Sequence, residues 1–172
     1  HPGFQYKGFN SDGIRKLTQQ WFVYILMQDD EDPEKLTNMK HLVRYLEKGF
    51  SIAPGWADTF KPDGIGYHHK MAYQAAYSQS TFADAAMMLH LLRGTEFKLS
   101  EQSCENVKKS LLTFRLMSQK YDLPRGVCGR FPNNTSAIIG LLPAYACLAN
   151  IDGEMKGVFA RLWDADFLRA HE

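Results

Sequence analysis

The chain has 172 residues, 45% of them hydrophobic and 23% charged, with a formal net charge of +1. That length suits one domain or a piece of one, and the balance is that of a packed globular protein. So small a net charge provides no global field for nucleic acid or any other polyanion, and no apolar run reaches the ~18 residues of a membrane-spanning helix.

The first residue is His1 rather than Met. A processed chain or an excised piece is therefore expected, and the lack of a leader says nothing about secretion. Residues 1–10 are rich in Gly and aromatics and read as irregular. Ser11 or Asp12 is placed to cap a first helix with Ile14, Leu17, Trp21, Tyr24 and Ile25 on one face. From Trp21 on, this helix is apolar nearly all round, which predicts burial on more than one side. Asp32 as N-cap and Pro33 in the first turn open a second helix, along which Leu36, Met39, Val43, Leu46 and Phe50 step by three and four. The two read as an antiparallel hairpin.

Residues 51–67 form a long loop, and Trp56 and Phe60 read as its anchors. Loops of this length in a compact domain are usually functional or disordered, and the anchors argue against disorder. A third helix is expected from about Tyr77 to Arg93, with Phe82, Ala85, Ala86, Leu89 and Leu92 as its stripe and Gly94 as its stop. A fourth begins near Ser100 and buries Val107, Leu111, Phe114 and Met117, while Lys108, Lys109 and Gln119 face water. The loop DLPRGVCGRFPNNTS follows, holding Arg125 and Arg130. A fifth helix, about 136–149, is kinked or restarted by Pro143. A sixth, about 153–170, turns Val158, Leu162 and Trp163 inward. Three cysteines, Cys104, Cys128 and Cys147, are odd in number and far apart, so they read as small buried hydrophobes.

No strand pattern survives this pass. Helix pairs joined by alternating short and long connections predict an all-α fold, a stack of helical hairpins or an (α/α) toroid. The long loops, 51–76 and 122–135, would then emerge at one end and face each other across a cleft.

The stretch Phe60–Tyr77, FKPDGIGYHHKMAYQAAY, is the densest in chemistry. Its first half is a turn, with Pro62 fixing φ, Asp63 able to bond the backbone beyond it, and Gly64 and Gly66 permitting unusual φ/ψ. Its second half packs two histidines and three tyrosines into eleven residues. His68, His69, Tyr73 and Tyr77, taken with Arg125 and Arg130, suit removal of a proton next to a carboxylate. The carbanion forms beside an existing negative charge, so the carboxylate must be neutralised before a base can act. A tyrosine serves as that base only when its pKa of ~10 is lowered, which a nearby guanidinium does. His69, Tyr73 and Tyr77 also fall at i, i+4 and i+8, one stripe of a helix packing into a core. Spacing alone does not separate these readings. A metal at His68–His69 lacks a carboxylate at ligand spacing. Cys128 beside Gly129 and Arg130 is a candidate thiol nucleophile with no base near it in sequence.

The same stretch, followed by FADAAMMLHLLRGTEFKLS and LPRGVCGRFP, resembles the chondroitin sulfate ABC lyases. These belong to the polysaccharide lyase superfamily that also holds chondroitin AC lyase and hyaluronate lyase. The PDG turn, the His after it, the Tyr opening a helix that ends in LLRGT, and the later GR pair recur in the same order. The resemblance is strong from Lys61 to Pro132 and weak after Asn150. It implies that His69 neutralises the uronate carboxylate, that Tyr77 is base and acid, and that Arg130 bonds Tyr77 and the bridging oxygen. The segment from His to Tyr is one residue longer here than in the family pattern. Aligned forward from His69 the Tyr position falls on Ala76, and aligned backward from LLRGT it falls on Tyr77. A loop absorbs an insertion more easily than a helix does, which favours Tyr77, with Tyr73 in reserve and His68 as a substitute for His69.

The resemblance further implies β-elimination of chondroitin or dermatan sulfate, an anionic glycosaminoglycan, to a 4,5-unsaturated product. It implies a secreted or periplasmic bacterial setting, while charge, hydropathy and ligand spacing lead us to expect no nucleic-acid or membrane partner, no metal and no cofactor. Lys61, Lys70, Arg93 and Arg125 are candidate sulfate contacts, and Trp56 and Tyr67 candidate sugar platforms. Family members are several times longer. Residues 1–172 therefore read as a single partial catalytic domain, part of an incomplete (α/α) toroid, with missing domains of the parent chain completing the site. The rival expectation is a non-catalytic helical fragment with at most weak glycan binding. A glycosidase needs paired carboxylates, for which only Asp58 and Asp63 stand in the central loop.

Overall fold

The computed structural model describes residues 10–53, 55–151, 156–162 and 169. The expectations for residues 1–9 and for Trp163 lie outside these. The described chain is all-α, apart from a hairpin of two two-residue strands.

Helix α1 (Ser11–Met27) is capped by Asn10, whose side chain accepts the Gly13 amide at 3.1 Å. Ser11 and Asp12 fall inside the first turn, and Ser11 is free for another task. Its hydroxyl lies 3.1 Å from Thr59 Oγ1 and donates to the Tyr67 carbonyl, while its own carbonyl accepts from Thr81. One buried serine thus ties the start of α1 to the long loop and to the third helix. Helix α2 (Pro33–Gly49) opens as its sequence dictates, with Asp32 accepting the Glu34 amide at 2.8 Å and Pro33 in the first turn. It packs back on α1, where Trp21 meets Tyr45 edge-on at 5.0 Å.

Helix α3 (Gln79–Leu92) is the hub, packed against α1, α4 (Glu101–Met117) and α5 (Leu142–Ala149). Thr81, Phe82, Ala85, Ala86, Met88, Leu89 and Leu92 are all buried. A helix apolar on most sides has to be surrounded, and its alanines let neighbours come close. Around it Phe50, Phe60, Phe82 and Phe114 form a chain of ring contacts at 5.5, 5.3 and 6.4 Å. Burying one such ring stabilises by ~1.5–3 kcal/mol, so Phe60 is a true anchor of the loop. Pro143 restarts the fifth segment: a 3-10 stretch over Thr135–Leu141 gives way to α5, with the proline in its first turn. Helix α6 (Lys156–Leu162) packs on α5 through Phe159.

Two expectations fail here. The end of α1 is not enclosed: Val23, Tyr24, Leu26 and Met27 are exposed, Met27 to 81%. The described helices packed on α1 are α2 and α3, which leave its outer face bare. Trp56 is no anchor either, being 66% exposed at the loop tip.

The PDG turn closes as expected, with the Gly64 amide donating to the Lys61 carbonyl at 2.9 Å and the Ile65 amide to Asp63 at 2.9 Å. Lys109 and Thr113 of α4 hold it by donating to the Pro62 and Asp63 carbonyls.

Candidate active site

Strand β1 (Tyr67–His68) pairs antiparallel with β2 (Met71–Ala72), His68 opposite Met71. The turn between them is His69–Lys70, with φ of 51° and 61°. Two-residue hairpin loops of this hand need positive φ at both positions and normally use Asn-Gly. Histidine and lysine pay some conformational strain there, and no turn signal in the sequence announces the hairpin. The geometry divides the two histidines. His68 is turned inward and buried, and His69 and Lys70 are exposed at the tip.

Between the hairpin and α3 the backbone makes wide turns over Gln74–Ser78. The Ser78 amide reaches back to the Tyr73 carbonyl and the Gln79 amide to that of Gln74. Ala76 sits at φ 60°, ψ −69°, a strained γ-turn geometry for a residue with a Cβ. His69, Tyr73 and Tyr77 are therefore not a helical stripe. They stand on a turn tip, on the residue leading into the wide turns and within those turns, yet their rings meet: Tyr73 and Tyr77 are 4.8 Å apart, His69 and Tyr77 5.8 Å. Tyr73 is 1% exposed with no partner for its hydroxyl, while Tyr77 remains partly open. Ala76, the position an ungapped alignment selects, carries no functional group, and Tyr77 occupies the centre.

The 122–135 loop comes directly onto this cluster rather than facing it across open space. Leu123 donates to the Thr135 carbonyl at 2.8 Å and Thr135 to Asp122 at 2.8 Å, closing the loop at its base. Gly129 at φ +64° turns the chain against the Tyr73 ring. Arg130 then donates from Nη2 to the Tyr77 hydroxyl oxygen at 2.5 Å, and Phe131 lies parallel to the Tyr77 ring at 6.3 Å. A guanidinium can only donate, so the phenolic oxygen is the acceptor and its own proton is free for another partner. Cys128 is buried beside the Pro124 and Asn134 carbonyls, and burial pushes its thiol up. That is the environment of an inert thiol, not a nucleophile.

His68 stacks on Tyr77 at 4.2 Å and 16°. Burial, helped by the His69 charge, holds its pKa below the usual histidine value against the pull of Asp12. Helix α1 contributes two residues that the sequence reading did not assign to the site. Arg15 lies 4.6 Å from the Tyr77 ring centroid, and Asp12 grips Arg15 at 2.6 Å while its other oxygen stands 3.7 Å from His68 Nε2. Burial pushes the Asp12 carboxyl up, but Arg15, Lys16 and His68 outweigh it and hold it low. Two turns along α3, Asp84 is buried and accepts from Gln19 at 2.5 Å; burial raises its pKa to about 6. The i, i+3 spacing of Asp12 and Arg15 marks an ion pair in sequence, but nothing there links it to a tyrosine 62 residues on.

A cleft of about 300 Å³ opens beside the cluster, lined by Asn10, Asp12, Trp56, Ala57, Asp58, His68, His69 and Lys70. Trp56 lies 6.4 Å from the Tyr67 ring. Four predicted contacts thus gather on one side: Trp56, Tyr67, His69 and Lys70. Three others do not. Lys61 is buried, donates to the Ala53 and Ala57 carbonyls and covers Tyr67, so it braces the loop. The 14 residues of α3, about 21 Å at 1.5 Å each, separate Arg93 from Tyr77. Arg125 is exposed on a 3-10 turn and is not in contact with the Tyr77 cluster.

An all-α frame that brings a phenol, a guanidinium and two histidines together beside an open cleft defines a candidate general acid–base catalyst. Comparison with known proteins narrows that class. The family profile described as "Lyase, catalytic" matches residues 6–172, and the chain belongs to this family. A chondroitin sulfate ABC exolyase of Bacteroides thetaiotaomicron is 30% identical over 179 aligned positions, covering 100% of this chain and 18% of that protein. A chondroitin sulfate ABC endolyase of Proteus vulgaris is 27% identical over 80% of the chain and 13% of its own length. A chondroitin sulfate ABC exolyase of the same organism is 29% identical over 80% of the chain and 14% of its length. The chain thus spans less than a fifth of the curated relatives it matches.

Proposed function

We propose that this chain is part of the catalytic domain of a longer lyase that cleaves chondroitin or dermatan sulfate by β-elimination. The observation that carries the reading is the hydrogen bond from Arg130 to Tyr77, made between two separate loops, with His68 and His69 joining that pair to an open cleft that they line. Names and activities of the relatives agree with it. His69, at the exposed hairpin tip, meets the uronate carboxylate and offsets its charge. Arg130 holds the Tyr77 oxygen as an acceptor, and a charge-assisted bond of this kind favours negative charge on that oxygen. Tyr77, as the phenolate that Arg130 favours, takes the carbon-5 proton. The electron pair left on carbon 5 forms the double bond to carbon 4, and the bond from carbon 4 to the bridging oxygen breaks. The proton on Tyr77 passes to that leaving oxygen. Lys70 contacts sulfate or carboxylate groups along the cleft, and Trp56 with Tyr67 supports a sugar ring. A secreted or periplasmic location suits a polymeric substrate.

The test is ultraviolet absorbance of the unsaturated product, with each glycan incubated separately. The full-length protein should be active and its Tyr77→Phe variant silent. Full activity in that variant would overturn Tyr77 as the base, and a full-length protein silent on both glycans would overturn the substrate class.

A further inference from the structure

We propose that Arg15 is a positioning residue of this reaction: a second guanidinium that holds the Tyr77 ring and favours its phenolate form. The inference rests on Tyr77 being the base. Arg130 reaches the phenolic oxygen, whereas Arg15 stands over the ring itself, with Cζ 4.6 Å from its centroid. A cation over an aromatic face is attracted to the electron-rich ring, and the attraction grows as the ring gains negative charge. Arg15 therefore favours the phenolate over the phenol without touching the proton in flight.

Its placement is built rather than incidental. Asp12 accepts from both Nε and Nη2 of Arg15, at 3.1 and 2.6 Å, which fixes the guanidinium plane. Asp12 and Arg15 are one helical turn apart on α1, and the buried Ser11 pins that turn to Thr59, Tyr67 and Thr81. Thr81 Oγ1 also stands 2.9 Å from the Tyr77 carbonyl and shares its one proton between that oxygen and the Ser11 carbonyl, so the cation and the phenol hang from one set of hydrogen bonds. The charged and titratable groups around the pair are Asp12 and Lys16 on α1, His68 and His69 on the hairpin, Tyr73 just after it, Arg130 on the later loop and Asp84 on α3. Without the Asp12 carboxylate, two guanidiniums beside one ring would repel. With it, Arg15 keeps its place at little cost.

The test compares Arg15→Gln and Arg15→Lys with the unmodified full-length protein and with Tyr77→Phe. Arg15→Gln should lower kcat about 30-fold, equivalent to ~2 kcal/mol, and leave KM within about twofold. Arg15→Lys keeps the charge and should recover at least a third of that loss on a logarithmic scale. An unchanged kcat, a loss falling wholly on KM, or a Lys variant no better than the Gln variant would each overturn the proposal. If Tyr77→Phe stays active, the assignment of the base fails; if only Arg15→Gln behaves as the parent, the role of Arg15 fails alone.

Discussion

A methyl group on the α-carbon of Gly129 would stand 2.6 Å from the Tyr73 ring. That contact seats the loop carrying Arg130 against the loop carrying Tyr77. Gly129→Ala therefore faces two costs, ~1–2 kcal/mol for a side chain at φ +64° and ~1–3 for the overlap. Chemical denaturation should show a loss of about 2–5 kcal/mol. Steady-state rates should fall more than tenfold, because Arg130 is the next residue and moves with the loop.

The two neighbouring histidines should behave differently. His69 is exposed at the turn tip, and His68 is buried face-on against Tyr77. His69→Ala should cost about a hundredfold in kcat/KM, the usual loss of one charge-stabilising group. His68→Phe retains a flat ring against Tyr77 and should keep kcat/KM within about tenfold of the parent. Kinetics of the two variants on chondroitin sulfate decide this; equal losses would erase the division.

Asp84 gives a pH signature in stability. Its pKa is raised by burial from 3.8 to about 6. The folded protein binds the Asp84 proton more tightly than the unfolded chain does. This contribution is complete below pH ~4 and is lost as pH rises to about 6. Asp84→Asn keeps the acceptor for Gln19 but cannot ionise. Its stability relative to the parent should be flat at pH 4 and rise by on the order of 3 kcal/mol by pH 7, read by urea unfolding at each pH. His68 acts at the other end: with its pKa lowered, its contribution is present above pH ~6.5 and is lost on acidification. A pH series on His68→Phe should therefore lose part of the acid sensitivity of the parent.

Ala76 holds a left-handed φ of 60° just before Tyr77. Ala76→Gly removes strain of ~1–3 kcal/mol and loses ~0.5–1 to unfolded-chain entropy. The urea midpoint should hold or rise. The same change at Ala75, buried at φ −71°, should lower stability by about 1 kcal/mol and the midpoint with it. Turnover in Ala76→Gly should fall several-fold, since Tyr77 is no longer firmly aimed.

The helices were legible because each carries its own signals. Asp32-Pro33, Ser100, the stripe from Phe82 to Leu92 and the restart at Pro143 are all local, and the helices follow them. The outer face of α1 misled, because apolar composition records a need for cover without naming what provides it. The hairpin was illegible because His69-Lys70 lacks the residues its backbone favours. Within the site, the order of motifs singled out His69, Tyr77 and Arg130, which the fold brings together. Arg15 and Phe131 were missed because their contacts with Tyr77 depend on tertiary packing, which spacing along the chain does not encode.

The wide turns at Gln74–Ser78 bear on descent. A hydrogen bond spanning five residues takes up one more than an α-helical turn does, so a single inserted codon can be stored there as a bulge. Everything from Gln79 onward keeps its pairing, and the phenol keeps its post. A residue can then be gained or shed at this spot without disturbing the helix that follows. Alignments made without gaps will still print an alanine where the Tyr77 phenol belongs.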